Sequence, residues 1–133
     1  AAHQAQARAN VEKSGLLDRV TFLSGDVLDS TTLEKCPACD AAFLDPDWVV
    51  TGPDHVYRFL RSNTKPPADL LLERILTLTP DVALVLPPRV DTREFEGLPE
   101  HERQDLYMGG SHELTCLYFG RLARSNGVTV LRR

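Results

Sequence analysis

Val82-Ala83-Leu84-Val85-Leu86-Pro87-Pro88 is the stretch that decides the fold class. Five apolar residues run without a polar break and stop at two prolines, which cannot donate to a sheet ladder. A strand with one wet face alternates; an unbroken run predicts a strand buried on both faces, as in a parallel sheet covered by helices. Just upstream, apolar residues at 71, 72, 75, 76 and 78 fall on one helical face, bracketed by Pro66, Pro67 and Pro80. Before that, the apolar run from Cys39 to Leu44 closes on Asp45-Pro46 and predicts another strand. Between them, Val49 to Pro67 carries Gly and Pro breaks and is expected to be a long loop with room for one short helix. Towards the N-terminus, Val20-Thr21-Phe22-Leu23 predicts a short strand running into Gly25-Asp26, and Asp29-Ser30-Thr31 predicts a capped helical turn through Lys35. Ala1 to Ser14, rich in Ala, Gln, Arg and Glu, predicts a helix stopped by Gly15. Towards the C-terminus, His101-Glu102-Arg103-Gln104-Asp105 predicts an exposed helix. Leu114 to Phe119 and Val128 to Leu131, with the turn Ser125-Asn126-Gly127 between them, predict an antiparallel hairpin. The expected class is α/β: a mostly parallel sheet with helices on its faces and a C-terminal antiparallel hairpin.

Length and charge narrow the function classes. The 133 residues carry 15 Lys+Arg against 19 Asp+Glu, a formal net charge of -4, so a broad basic footprint for gripping nucleic acid by phosphate neutralisation alone is excluded. No apolar run approaches the roughly 18 to 20 residues that cross a bilayer. Ala1-Ala2-His3-Gln4 lacks the basic-then-apolar start of a signal segment, so a soluble, cytoplasmic protein without membrane contact is expected. Three cysteines, Cys36, Cys39 and Cys116, do not make a secreted disulfide framework. Cys36-Pro37-Ala38-Cys39 has half-zinc or redox spacing, but a second ligand pair is missing: His3, His55, His101, His112 and Cys116 stand apart from one another. The motif also precedes a strand instead of opening a helix after one, and no metal is expected.

Ligands of open parallel sheets bind beyond the carboxyl ends of the strands, and each predicted strand ends in candidates. Asp26 and Asp29 follow the first; Asp29 is equally a helix cap. Asp45-Pro46-Asp47-Trp48 follows the second. There a proline stiffens the turn, carboxylate and carbonyl oxygens can accept from an exocyclic amine, and an indole offers a flat face to a base. A strand-ending turn with a core-packed Trp48 has the same sequence. His55, Tyr57, Arg58, Arg61, Asn63 and Lys65 form a basic, aromatic loop that can guide a nucleotide or remain an ordinary solvated loop. Arg89 after Pro87-Pro88 can meet a phosphate or be a plain surface arginine. Tyr107, Tyr118 and Phe119 are expected to pack the hairpin.

Taken together, Ala9-Asn10, Gly15-Leu16, Asp18-Arg19-Val20, Gly25-Asp26 and Asp45-Pro46-Asp47-Trp48 resemble the middle and later motifs of class I S-adenosylmethionine-dependent methyltransferases. Leu86-Pro87-Pro88-Arg89 and Leu114-Thr115-Cys116-Leu117-Tyr118-Phe119-Gly120 resemble more narrowly the trimethylguanosine synthase-like branch, which methylates the cap guanine amine of RNA. The resemblance implies a Rossmann-like sheet, incomplete at its N-terminal side, and that Asp26 and Val27 border the adenine of S-adenosylmethionine. It implies that Asp45 and the Pro46 carbonyl receive the amine and that Trp48 stacks on the base. His55, Arg58 and Arg89 would then lie on the side of an RNA or nucleotide substrate. Asp47 departs from the family, which usually has a second proline there, and an extra carboxylate suits an amine-bearing or cationic substrate.

A larger departure is the missing glycine-rich cofactor loop; Gly109-Gly110 comes too late and no helix follows it. The expectation is that residues 1–133 are the C-terminal part of one methyltransferase domain, with activity belonging to the full-length parent. Two strand edges would then lack neighbours. The chain would pair strands differently, exchange a segment with a second copy as a dimer, or hold its first strand loosely. The rival expectations are a methyltransferase for another amine and a non-catalytic RNA-binding or interaction module on the same scaffold.

Overall fold

The computed structural model describes residues 2–48 and 55–133 and contains one five-stranded sheet. The chain forms two compact units, Ala1–Pro37 and Ala38–Arg133. The first unit holds helix α1 (Ala2–Lys13), a single 3₁₀ turn at Leu17–Arg19 and the short helix α2 (Ser30–Leu33). α1 ends where Gly15 was expected to stop it, and the Asp29 carboxylate caps α2 by accepting from the Thr31 amide at 3.0 Å. Val20–Leu23 forms no strand. Instead the Arg8 guanidinium sits 5.1 Å over the Phe22 ring and the Ser24 hydroxyl donates to Gln4 Oε1, so side chains of α1 hold the extended segment and no backbone ladder does.

The second unit contains β1 (Ala42–Leu44), helix α3 (Ala68–Leu76), β2 (Val82–Leu86), β3 (His101–Met108), β4 (Ser111–Phe119) and β5 (Val128–Arg132). The sheet order is β1-β2-β4-β3-β5. β1 runs parallel to β2, β5 runs parallel to β3, and β4 is antiparallel to both its neighbours. The α/β class holds, but the sheet is mixed and not mostly parallel. All five residues of β2 are buried, as the unbroken apolar run demands. α3 packs against β2 and buries Ala68, Leu71, Leu72 and Ile75; of the face read from the spacing, Leu76 is half-buried and Leu78, beyond the end of the helix, is exposed. Phe59, Phe95, Leu117 and Phe119 complete the core. Of the loop expected over 49–67, residues 49–54 lie outside the described residues, and 55–67 is built of turns.

Two expectations at the C-terminal end are corrected. His101–Asp105 is the first half of β3, not an exposed helix. Its polar side chains find partners along β3 and on neighbouring segments that a helix would not supply. Glu102 accepts from the Arg124 amide at 2.7 Å and from Thr129 Oγ1 at 3.0 Å, Arg103 pairs with Asp105, and Thr115 Oγ1 donates to Asp105 at 2.9 Å. The hairpin partner of β4 is therefore β3, not β5. Gly109 and Gly110 join the two strands at φ values of 55° and 88°, the pair of positive angles a two-residue type I′ turn requires. Tyr118 and Phe119 pack within this hairpin, Phe119 almost fully buried. Among the described residues no helix is long and apolar enough to cross a membrane.

Candidate functional site at the carboxyl ends of β1 and β2

β1 and β2 lie side by side and parallel, so their carboxyl ends open on the same edge of the sheet. Asp45-Pro46-Asp47-Trp48 leaves β1 there, and Pro87-Pro88-Arg89 leaves β2. Asp45 and Asp47 are exposed, Pro46 is buried and Trp48 is half-buried. The indole Nε1 of Trp48 is sealed from solvent and has no hydrogen-bond partner among the described residues. A buried donor left unmatched is costly, which makes this nitrogen a place where an acceptor would be gained.

Backbone bridges draw the following loop over this edge. Asp47 and Lys65 exchange both amide hydrogen bonds at 2.9 Å. Tyr57 bridges to Val90 in parallel: its amide donates to the Arg89 carbonyl at 3.2 Å, and its carbonyl accepts from the Asp91 amide at 2.9 Å. Arg89 takes a positive φ of 60° in the tight turn after the prolines. The His55 ring meets the buried Tyr57 ring edge-on at 4.7 Å. Asn63 Nδ2 donates to His55 Nε2 at 3.0 Å, which requires a lone pair on that ring nitrogen, while Asn63 Oδ1 remains buried and unpartnered.

Two carboxylates that the sequence did not single out hold this loop in shape. Glu94 accepts from the Phe59 and Leu60 amides at 2.7 and 2.9 Å and is paired with the Arg58 guanidinium. Asp69, in the first turn of α3, accepts from the Arg61 amide at 2.7 Å and the Ser62 amide at 3.4 Å, and Arg61 itself has φ 53°. Four consecutive amides are thus satisfied by two side chains. Burial raises the Glu94 carboxyl, but the Leu60 amide and Arg58 outweigh it and hold it below its usual range. These clamps reach 34 to 36 residues along the chain for Glu94 and 7 to 8 for Asp69, so no local pattern announces them.

The structure therefore brings Asp45, Pro46, Asp47, Trp48, His55, Arg58 and Arg89 to the carboxyl ends of two adjacent strands or to the loop bridged across them. Arg58 is engaged by Glu94. A hollow of about 300 Å³ lined by Arg58, Leu60 and Arg61 opens on this loop. A larger cavity of about 490 Å³ lies elsewhere, at the start of β3. It mixes Arg103, already paired with Asp105, with Glu96 and Glu100 and so selects no charge.

Asp26 and Val27 belong to the first unit. There Asp26 Oδ1 accepts from the Leu28 amide at 2.9 Å, a local turn of the kind aspartates make without any ligand. Among the described residues no group of three or more His, Cys, Asp or Glu side chains is placed to hold a metal ion. No family model matches the chain.

Proposed function

We propose that the chain supplies the acceptor side of an S-adenosylmethionine-dependent methyltransferase acting on an exocyclic amine, with guanine in RNA as the favoured substrate, the activity belonging to the full-length parent. The observation that carries the reading is the position of Asp45-Pro46-Asp47-Trp48. The motif leaves a strand parallel to its neighbour β2, at the sheet edge where open α/β sheets take ligands, and the antiparallel β4 lies on the other side of β2.

The residues of this chain suit the amine better than the cofactor. Asp26 is used in its own turn, and the carboxyl ends of β1 and β2 continue into Asp45-Pro46 and Pro87-Pro88 where a cofactor cradle would need glycines. S-adenosylmethionine, when bound, supplies an electrophilic methyl group. Asp45 and the Pro46 carbonyl would accept the two N–H groups of the amine, aiming its lone pair and stabilising the positive charge that develops on nitrogen. Asp45 would take the proton the nitrogen sheds. Trp48 would stack on the base through the exposed part of its half-buried indole.

Trp48 is the single tryptophan, so its fluorescence reports the site directly. Guanosine monophosphate is expected to quench it, and Asp45→Asn to weaken that quenching about tenfold, the loss of one charge-assisted hydrogen bond. Unchanged emission at millimolar nucleotide would sink the reading. Calorimetric titration with S-adenosylmethionine is expected to show weak binding or none, and micromolar affinity for this chain alone would overturn the assignment of the cofactor to residues outside it. A second reading, a binding module without methyl transfer, is favoured by the use of Asp26 in its own turn; nucleotide quenching by a full-length parent that binds no cofactor would establish it. For a different amine substrate, Asp47 is the discriminating residue, and Asp47→Pro should then shift the nucleotide preference.

A further inference from the structure

β5 closes the sheet on the side away from β1, and no strand lies beyond it among the described residues. The ladder to β3 shows which of its backbone groups are spent. Arg103 N donates to the Gly127 carbonyl at 3.0 Å, Arg133 N donates to the Tyr107 carbonyl at 3.1 Å, and the Arg133 carbonyl accepts from Gly109 N at 3.2 Å. Odd-numbered residues of this segment therefore turn their amides and carbonyls towards β3, and a parallel ladder leaves the even ones facing outward. Val128, Val130 and Arg132 each present one N–H and one C=O on the free edge.

That edge carries few of the usual protections, its one charge within β5 being Arg132 at the end of the strand. Val128-Thr129-Val130-Leu131 contains no proline, lysine or inward charge, and β5 pairs with β3 without a bulge. Val128 and Val130 remain 56% and 53% exposed.

We propose that β5 is a self-pairing edge through which two copies of this chain join antiparallel about a two-fold axis at Val130, making one ten-stranded sheet from two five-stranded ones. The pattern of outward groups selects this partner. With Val130 facing its own symmetry mate, Val128 falls opposite Arg132 of the second copy. Six hydrogen bonds then satisfy all twelve outward groups, with none left over, as an isologous contact requires. Thr129 falls opposite Leu131 on one face, and Val130 meets Val130 on the other. Charge also permits it: the two copies of Arg132 would stand four residues apart across the axis, about 14 Å, beyond a screening length of about 8 Å. Each Arg132 is already drawn over the Tyr107 ring of its own chain at 4.8 Å. This pairing neither requires nor supports the methyl-transfer reading.

Sedimentation velocity of the 133-residue chain between about 1 μM and about 1 mM, the range of small-interface dimers, tests it. A concentration-dependent dimer is expected; a monomer throughout overturns the proposal. Val130→Pro removes only an outward N–H and spares the β3 ladder, so it should weaken the dimer about 30-fold or more while the far-ultraviolet spectrum and thermal midpoint of the dilute chain stay unchanged. A dimer that survives this substitution at full strength overturns it. Should proline loosen the sheet, Val130→Lys reads the same point: its side chain is exposed in the monomer, and two ammonium groups would face each other across the axis. Retention of the dimer by Val130→Lys likewise refutes self-pairing at β5.

Discussion

Val82–Leu86 and Val20–Leu23 carry much the same strand signal, yet one is the buried middle of a sheet and the other is an extended segment with no ladder. β2 has a neighbour on each side, β1 and β4, and all five of its side chains are buried. Val20, Leu23 and Ser24 are exposed, and Phe22 is held by a guanidinium. Strand propensity describes a side chain's fit to a pleated, half-buried surface; the surface has to exist before the preference counts. A four-residue run becomes a strand only where other elements supply both ladder and cover.

Substitutions should separate the two segments sharply. Leu84→Ala in β2 is expected to cost about 2 to 5 kcal/mol in urea unfolding, the loss of a fully buried leucine in a site ringed by fixed strands. A cost below about 1 kcal/mol would mean that β2 is not the centre of the fold. Gly120→Ala is expected to cost about 2 to 4 kcal/mol, combining a left-handed backbone with overpacking. Gly120 sits at φ 60°, and a Cβ there would fall 2.6 Å from the Pro80 carbonyl oxygen and against the Asp81 carboxylate at the start of β2.

Acid should act on the same region. The Arg121 guanidinium and amide hold Asp81 low, Arg93 holds Asp91 down to about 2, and the Arg124 amide lowers Glu102, as Leu60 and Arg58 lower Glu94. Groups depressed by folding stabilise fully above the ordinary carboxylate range and lose that contribution as pH falls through their folded values. Stability should therefore be level above about pH 5 and decline from about pH 4 towards about pH 2. A urea midpoint that rises as the solution is acidified over that range would contradict these pairings. The smallest effect belongs to the other segment: Leu23→Ala should change stability by less than about 0.5 kcal/mol. Amides of 20–23 should exchange with solvent far sooner than those of β2.

What was legible from the residues follows from the range of the interactions. α3, β2, β1, the Asp29 cap and the end of α1 depend on spacing, proline punctuation and local capping, and all were visible. β3 was misread because its charges suggest a solvated helix, and only Thr115 of β4, Thr129 of β5 and the Arg124 amide in the loop before β5 make them welcome in a strand. The signal that could have corrected it was Gly109-Gly110, weighed as a cofactor loop when a two-residue hairpin turn was its better use. At the candidate site, the Asp45 motif was visible because it is contiguous. The Glu94 clamp was not, because its partners lie 34 to 36 residues away.

The three free thiols make the sheet its own reporter. Cys39 is exposed and Cys36 half-buried, whereas Cys116 is buried in β4 opposite Val85 of β2, where burial pushes its thiol above the usual range. A thiol reagent should therefore modify the first two within the native protein and reach the third only when β4 separates from β2. The rate of that last modification would clock the opening of the central strands under native conditions, without denaturant.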